Sequence, residues 1–575
     1  MRSPIFFTHQ ISLTLRALGV AVLLICVLLR LFCILSGYLS IATVPTLNWI
    51  GKDKVINHHL DVPFRILEHK YGFTQSGETN EPVNSGNKII HGDNLEALKA
   101  LLPEYEGKIK CIYIDPPYNT GNEKWVYNDN VNDPRIQKWL HEIVGREGED
   151  LSRHDKWLCM MYPRLKLLSR LLAFEGCVFI SIDDNEQPYL KLLCDEIFGS
   201  HNFVATIPWK GKGGGADNKY MMVAHEYIMF YAKSKTDLTI GEELIEGESF
   251  PRYDESLKRH YKTQLLRKWG ANSRRQDRPN LYYSITAPDG SEHYPMLPDG
   301  EEGCWRWSRE TMTAALEQNQ VEFIQKDGVW TSYEKIFKPE SGHNTKKYST
   351  WFDFTNNAEG SKELKKIFAD KVFDFPKPRN LIELLIKISN AGDDDIVLDS
   401  FAGSGTTADA VLSLNKNESK QLKFICVEMQ DYANTITAER IKRVITGYSD
   451  VQGAGDAFDY FELGQPVFTS DGQINELIGQ ENLRRYVWYT ETRSRYDRID
   501  SANSFLLGKF NDAVYYFFYD PDITTTLEYG FLATMDPSFQ GDQYIIYADN
   551  CLLPAEFMQS KNIIFKKIPR DISKF

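Results

Sequence analysis

Several features that would place a chain in a function class are missing from these 575 residues. The formal net charge is −13, which excludes a polycation that binds nucleic acid without specificity. Any contact with nucleic acid therefore needs a local basic patch. The nine cysteines form no Cys-x-x-Cys pair and no Cys/His zinc spacing, so we predict a reducing, cytoplasmic setting and no structural metal.

A long apolar run lies near the N-terminus and fits poorly with the rest of the chain. Residues 17–29, ALGVAVLLICVLL, are typical of a membrane anchor or a signal sequence, but Arg30 interrupts the apolar stretch. The other interpretation is a start codon placed too far upstream, with natural translation beginning near Val44. We favour the second interpretation, so membrane association is doubtful.

Strand and helix signals alternate in two blocks of the chain. The first block contains KIIHGDNLEALKALL (88–102), and the second contains DIVLDSFAGSGTTADAVLSL (395–414). This alternation predicts an α/β fold with a doubly wound, mostly parallel sheet. The predicted segments are an extension at 1–43, the first half of the α/β domain at 44–235, an inserted module at 236–370, the second half at 371–450 and an α+β C-terminal domain at 451–575.

A glycine-rich turn in the second block has the features of a ligand site. Asp399 ends the strand, Phe401 follows it, and Gly403 and Gly405 allow a sharp turn that approaches a ligand closely. The helix that begins near Thr406 offers unpaired N–H groups. The turn is neither a P-loop nor a complete dinucleotide fingerprint, because no Gly-Lys-Ser/Thr follows and the third glycine is missing.

An acid at the end of the next strand sharpens this interpretation. Glu428 follows Gly405 by 23 residues and is placed to accept hydrogen bonds from ribose hydroxyls. Asp399 would repel a phosphate but would pair with an ammonium group. Turn and acid together predict an adenosine-containing cofactor with a charged tail beside the turn. A purely structural turn between strand and helix is the alternative.

The second motif ends the strand signal IKCIYI in the first block. Its residues are Asp115, Pro116, Pro117 and Tyr118, and the prolines hold the backbone stiffly. The Asp115 carboxylate and the Pro116 carbonyl are two acceptors at one place, which suits the two N–H donors of an exocyclic amino group. Tyr118 provides a ring on which a base can stack. Such a pocket fits a flipped-out base, whereas the alternative is an ordinary tight turn.

DPPYNTGN (115–122) and FAGSGTT (401–407) resemble the catalytic and S-adenosylmethionine motifs of the amino-methyltransferases of DNA. The catalytic motif comes first, which is similar to the β-class order. The resemblance implies a permuted methyltransferase fold, methyl transfer to adenine N6 or cytosine N4, and adenine as the usual partner of an acid at position 115. It also implies that Asp93 lies near the cofactor adenine and that the motif at 375–389, with Lys377, closes the cofactor site.

Flanking segments resemble the modification subunit of type III restriction–modification systems. The similar stretches are 47–73, VYNDNVND (126–133), 278–295 and the terminal IIFKKIPRDISKF. The resemblance implies a homodimer that acts on double-stranded DNA and assembles with a restriction subunit, a helicase–nuclease. It also implies that segment 236–370 is a target-recognition domain.

A local basic run lies inside the inserted module. Residues 258–278 contain eight Lys or Arg and a single acid, Asp277. We predict phosphate contacts from this run, and the candidate residues are Lys258, Arg259, Arg267, Lys268, Arg274 and Arg275. The alternative is a solvated, charged helix face.

Four other functions stay open at this point. A stand-alone DNA amino-methyltransferase would have the same catalytic residues. A nicotinamide-binding oxidoreductase would use the same fold but would leave the DPPY sequence unexplained. A methyltransferase acting on RNA or on a protein glutamine would use related motifs, and a membrane-anchored binding protein depends on residues 11–43 alone.

Overall fold

A computed structural model of the chain describes residues 46–120, 153–212, 221–245, 247–340, 344–501, 503–569 and 571–572. The apolar N-terminal run and the VYNDNVND motif lie outside these residues. The chain divides into two compact units. Unit 1 is Met1–Ile240 with Ser349–Phe575, and unit 2 is Gly241–Tyr348.

Unit 1 is built on a ten-stranded sheet, whose strands are numbered along the chain. In spatial order they are β2 (Gly77–Thr79), β1 (Arg65–Thr74), β20 (Ala457–Pro466), β3 (Lys88–His91), β17 (Lys423–Glu428), β16 (Ile396–Asp399), β4 (Ile109–Ile114), β5 (Leu172–Ile182), β7 (Glu226–Ala232) and β6 (Phe203–Trp209). The six strands from β20 to β5 run parallel, and the pairs at both edges are antiparallel. The predicted α/β fold with a mostly parallel sheet is confirmed.

The strands form because they carry continuous apolar runs that helices cover on both faces. β4 is buried at all six of its positions, as expected for a central parallel strand. Cys111, Cys177 and Cys426 lie buried in β4, β5 and β17, where cysteine packs as a small apolar side chain.

The helices of unit 1 follow their strands in the expected alternation. They are α1 (Lys52–Val55), α2 (His58–Asp61), α3 (Asn94–Tyr105), α4 (Arg153–Leu171), α5 (Gln187–Cys194), α7 (Asn357–Phe368), α8 (Arg379–Ile388), α9 (Thr406–Glu418), α10 (Glu439–Thr446), α11 (Gln480–Thr492), α12 (Tyr529–Leu532) and α13 (Ala555–Ser560). The direction in which strands are added to the sheet changes between β16 and β4. The strand that follows β16 in the chain, β17, lies on one side of this pair, and the strand that follows β4, β5, lies on the other side. A crevice is expected beyond the carboxyl ends of these two strands.

Unit 2 is a small mixed module without the alternation of unit 1. Its strands are β8 (Glu243–Leu244), β9 (Arg252–Asp254), β10 (Arg259–Leu265), β11 (Ile285–Thr286), β12 (Glu292–His293), β13 (Val321–Lys326), β14 (Val329–Phe337) and β15 (Thr345–Lys346), and its helix is α6 (Arg309–Glu317). Leu266, Tyr283 and Trp305 form the centre of its own apolar core. The unit is shorter than the predicted insertion at 236–370, because the amphipathic helix α7 packs against α10 in unit 1.

The last part of unit 1 contains a smaller sheet. The remaining strands are β18 (Gly447–Tyr448), β19 (Val451–Gln452), β21 (Leu506–Phe510), β22 (Ala513–Phe517), β23 (Thr526–Leu527), β24 (Gln543–Ala548), β25 (Asn550–Cys551) and β26 (Ile563–Lys567). β21, β22, β24 and β26 form a four-stranded sheet with an apolar core of its own. β20 differs from the predicted division at residue 451, because it lies inside the main sheet between β1 and β3.

Membrane-spanning helices are absent from the described residues. Within that part of the chain, no helix combines the length and the apolar composition needed to cross a bilayer.

Candidate active site

A crevice of about 1220 Å³ opens at the carboxyl ends of the central strands. This volume lies above the range of roughly 300–1,000 Å³ that is typical of small-ligand sites. Ten of the twelve predicted catalytic and cofactor residues line the crevice. They are Asp115, Pro116, Pro117, Tyr118, Lys377, Asp399, Phe401, Gly403, Thr406 and Glu428.

The Asp-Pro-Pro-Tyr motif follows β4 directly and is held by hydrogen bonds from Trp157 and Lys377. The indole Nε1–H of Trp157, on α4, donates a 2.7 Å hydrogen bond to the carbonyl of Pro117. Both carboxylate oxygens of Asp115 accept hydrogen bonds from Nζ of Lys377, at 2.8 and 2.7 Å. Burial raises the pKa of Asp115 above its usual range, while the charge of Lys377 acts in the opposite direction.

A second carboxylate, Glu226 at the start of β7, lies in the same place and is buried. Its Oε2 accepts a 3.0 Å hydrogen bond from the hydroxyl of Tyr118, and its Oε1 accepts a 2.9 Å bond from Nδ2 of Asn357. The sequence contains no signal for Glu226, because a single acid at the start of an apolar strand is typical of an ordinary strand boundary.

The residue after the motif is fixed by a buried acid. Asn119 has a left-handed backbone with φ of 56°, and its Nδ2 donates to Oε1 of Glu186 at 2.5 Å and to the carbonyl of Arg153 at 3.1 Å. Nδ1 of His154 lies 2.7 Å from the same Glu186 oxygen. These contacts hold the far end of the motif, so Glu186 is a further residue that supports the site.

The glycine-rich turn has the geometry that its sequence predicts. Gly403 and Gly405 have φ of 51° and 80°, in the left-handed region. A Cβ atom on Gly403 would lie 3.1 Å from the ring of Phe373, and one on Gly405 would lie 3.1 Å from the carbonyl of Thr437. Both conformation and space therefore favour glycine at these two positions.

Two buried carboxylates flank this turn. Asp399 accepts hydrogen bonds from the backbone N–H of Phe401 at 2.9 Å and from the hydroxyl of Thr407 at 2.5 Å. Glu428 accepts the backbone N–H of Gly403 at 2.8 Å. Burial raises the pKa of Asp399 to about 7 and the pKa of Glu428 to about 7. A positively charged ligand is therefore favoured beside these two carboxylates, because it stabilises their ionised forms.

A buried ion-pair network supports the turn from behind. Arg440, on α10, is fully buried and donates to Oδ2 of Asp409 from Nη2 at 2.8 Å and from Nε at 3.0 Å. Its Nη1 donates to the hydroxyls of Ser404 and Thr406 at 3.1 and 2.8 Å. The sequence does not predict this network, since its members are up to 36 residues apart.

Two predicted cofactor residues lie away from the crevice lining. Gly405 is the residue before α9, and its place is inside the turn. Asp93 caps α3 by accepting the backbone N–H groups of Leu95 and Glu96 at 2.8 and 3.3 Å, and its other oxygen lies 3.4 Å from Arg164. The neighbouring side chain of Asn94 lines the crevice instead.

The predicted phosphate-binding run lies in unit 2 and is not helical. Residues 259–265 form β10, so the alternative of a charged helix face is wrong. Arg274 lies 3.1 Å from Asp299, and Arg275 lies 2.7 Å from Glu302. Within the described residues, no acid forms an ion pair with Lys258, Arg259, Arg267 or Lys268. The run is therefore partly neutralised.

A family profile and several curated proteins match most of this chain. A family profile described as DNA methylase matches residues 109–439. The type III restriction-modification enzyme EcoPI Mod subunit of Escherichia phage P1 is 35% identical over 423 residues, which cover 68% of this chain and 64% of that protein. The corresponding StyLTI Mod subunit of Salmonella typhimurium is 35% identical over 440 residues, covering 73% of this chain and 63% of that protein.

A shorter protein is similar over most of its own length. The type II methyltransferase M.KpnI of Klebsiella pneumoniae is 35% identical over 363 residues, covering 60% of this chain and 82% of that protein. By contrast, the chain spans less than two thirds of the length of the EcoPI and StyLTI Mod subunits.

Proposed function

The chain belongs to the DNA methylase family, and on that premise we propose that it methylates adenine N6 in double-stranded DNA, with S-adenosylmethionine as the methyl donor. We further propose that it does so as the modification and specificity subunit of a type III restriction system. The observation that carries the proposal is the shared crevice, because the Asp-Pro-Pro-Tyr motif and the glycine-rich turn line one cavity.

The residues around the glycine turn fit the methyl donor. S-adenosylmethionine supplies an electrophilic methyl group on a sulfonium, and its tail carries an ammonium group. The buried carboxylates of Asp399 and Glu428 favour a cationic ligand over a phosphate. Glu428 ends β17, where an acid accepts ribose hydroxyls. The buried hydroxyl of Ser400 has no partner among the described residues and offers one more polar contact in the crevice.

The catalytic motif fits the amino group of a flipped-out base. The Asp115 carboxylate and the Pro116 carbonyl accept its two N–H donors, and Tyr118 stacks on the ring. These hydrogen bonds favour a more nucleophilic nitrogen and stabilise the positive charge that develops on it. As the new nitrogen–carbon bond forms, the carbon–sulfur bond breaks and its electron pair stays on sulfur. The amino nitrogen then gives up one proton, which Asp115 accepts.

Adenine is proposed over cytosine because of the residue at position 115. Adenine N6 and cytosine N4 are both exocyclic amines, and either one could donate to two acceptors. In the resembling family an acid at this position usually goes with adenine and a serine with cytosine. The aspartate in this chain therefore supports adenine.

The proposed assembly depends on the relatives. Two of them, EcoPI and StyLTI, are named as Mod subunits of type III restriction-modification enzymes. We propose a homodimer that associates with a helicase–nuclease subunit, and copurification from the native host tests this assembly. A chain that purifies alone, with full methylation activity, would instead support a stand-alone DNA methyltransferase.

Single-molecule sequencing of host DNA tests the reaction itself. DNA from cells with the gene should carry N6-methyladenine in one sequence context, and DNA from cells without it should not. A matched strain with Asp115→Ala separates this chain's activity from that of other methyltransferases. N4-methylcytosine, or no new modification, would contradict the proposal.

A further inference from the structure

The side chain of Lys377 reaches the catalytic motif. Its backbone lies beside the glycine-rich turn, where its carbonyl accepts a 3.3 Å hydrogen bond from the hydroxyl of Thr406. Its ammonium nitrogen lies within 2.8 Å of both Asp115 oxygens and 4.9 Å from the ring centre of Tyr118. The ammonium is therefore at the place assigned to the amino group of the base.

This placement creates a competition for Asp115. An ammonium has three N–H donors, and two of them are directed at the two carboxylate oxygens of Asp115. An entering amino group needs at least one of these oxygens. The side chain of Lys377 is only 9% exposed, so leaving its ammonium without an acceptor is costly, and Lys377 needs another acceptor when the base enters.

Glu226 is an acceptor within reach of Lys377. Its Oε2 lies 3.8 Å from Nζ of Lys377, which is an ion pair but not yet a hydrogen bond. A shift of about 1 Å would bring the two atoms to hydrogen-bonding distance. Hydrogen bonds from Tyr118 and Asn357 hold the Glu226 carboxylate in place, so the shift is made by the ammonium group of the lysine.

We propose that Lys377 is a positioning residue that pairs with Asp115 while the base pocket is empty and transfers to Glu226 when a target amino group enters. This inference depends on the proposed methyl transfer to DNA. Both carboxylates then keep a partner in either state, which avoids an unpaired charge in a poorly hydrated site. Glu226 gains a role as the second partner of the lysine.

A double-mutant cycle on the full chain tests the transfer. The variants are Lys377→Met, Glu226→Gln and the double substitution, assayed with radiolabelled S-adenosylmethionine and unmodified plasmid DNA. In the chain that keeps Lys377, Glu226→Gln should lower kcat/KM for DNA about tenfold, because the displaced ammonium lacks a charged acceptor. In the Lys377→Met background, the same change should have less than a twofold effect, because no ammonium needs an acceptor.

The pH profile gives a second measurement that a purely structural role would not change. Without the ammonium, Asp115 should stay protonated to higher pH, so the acidic limb of kcat/KM in Lys377→Met should move to higher pH. The ionisable groups that face Asp115 are Lys377, Glu226, Tyr118, Tyr113 and Asp399. Lys377→Arg keeps the charge and should restore the limb toward its original position.

The outcomes separate the two proposals. Coupling below threefold in the cycle would overturn the role of Lys377. No label in DNA from the unsubstituted chain would contradict the proposed function instead. Lys362→Met is the matched control, because Lys362 is exposed on α7 and pairs with Glu359, and it should leave kcat/KM unchanged. Thermal unfolding checks each variant, and if Lys377→Met does not fold, the cycle is repeated with Lys377→Gln.

Discussion

Individual side chains around the two prolines form the motif that we propose binds the target base. Pro116 and Pro117 have no backbone N–H, so the chain at the end of β4 cannot pair with a neighbouring strand and turns toward the crevice. Trp157 fixes the carbonyl of Pro117, and Lys377 fixes the carboxylate of Asp115. The motif is therefore held from both sides before any ligand is present.

Removing the acceptor or the ring should abolish methylation. We expect Asp115→Ala and Tyr118→Ala each to lower kcat by at least about 100-fold, because the hydrogen-bond acceptor or the stacking surface for the base is lost. Binding of S-adenosylmethionine should survive, since Asp399 and Glu428 are unchanged. Calorimetry and incorporation of a labelled methyl group measure the two effects. Near-normal turnover of Asp115→Ala would show that the assignment is wrong.

Cofactor binding should depend on pH near neutrality. The pKa values of Asp399 and Glu428 are raised to about 7 by burial, so each acid is mostly neutral at pH 6 and mostly ionised at pH 8. The cationic donor prefers the ionised forms, and the affinity should therefore fall as the pH is lowered through 7. We expect about a tenfold loss from pH 8 to pH 6 for each acid.

Calorimetric titration with S-adenosylmethionine across this range measures the effect, and Glu428→Gln is the control. That variant should bind S-adenosylmethionine more weakly at pH 8. Between pH 8 and pH 6, its affinity should fall about tenfold less than the affinity of the unsubstituted chain. An affinity that stays constant between pH 6 and pH 8 in the unsubstituted chain would contradict the prediction.

At the scale of elements, the sequence predicts the strands, the glycine turn and the helix that carry the two motifs. The run before Asp399 and the glycines after it have local signals, and β16, the turn and α9 follow them. The partners of these elements were not predictable. Glu226, Trp157 and Glu186 reach the motif from β7 and from the region of α4 and α5, and such contacts depend on packing between segments far apart in the chain.

The network behind the glycine turn should be important for stability. In Arg440→Met, the remaining charged contact of Asp409 among the described residues is with Arg379 at 3.5 Å, and the hydroxyl of Thr406 loses a donor. We expect a loss of about 3–5 kcal/mol in the free energy of unfolding, as is typical when one partner of a buried ion pair is removed. Denaturant unfolding measures it.

Arg443 on the same helix gives a matched control. Its side chain is about one-third exposed and lies 2.7 Å from Glu439. Arg443→Met should therefore cost less than about 1 kcal/mol, as for other exposed ion pairs. Equal losses for the two variants would contradict the importance of the buried network.

At the scale of the whole molecule, the fold class could be predicted and the division of the chain only in part. The pause in the alternation of strands and helices indicates an insertion, and unit 2 lies within the predicted range. The edges differ because α7 has no strand beside it to mark it as part of the α/β domain. The position of β20 could not be predicted, since its strand pairs are with residues almost 400 positions earlier.

DNA binding by unit 2 should be unevenly distributed over the basic run. Lys258 is exposed and has no ion pair among the described residues, whereas Arg274 is paired with Asp299. Lys258→Ala should weaken binding of a mixed-sequence duplex and reduce the slope of log affinity against log salt by about 0.9, as for one lost phosphate contact. Arg274→Ala should change the slope less. Fluorescence anisotropy at several salt concentrations compares them, and identical slopes for the two variants would contradict this ranking.

The position of β20 also affects the time at which the enzyme becomes complete during synthesis. The ribosome finishes Asp115, the glycine turn and Glu428 before it reaches residue 457, yet β3 has one open edge until β20 inserts beside it. Pairing between β1 and β20 is a very non-local contact, and such contacts form late and slowly. A nascent chain can therefore hold every residue proposed to be catalytic while its sheet is unfinished, so its fold is completed only after most of the protein has been made.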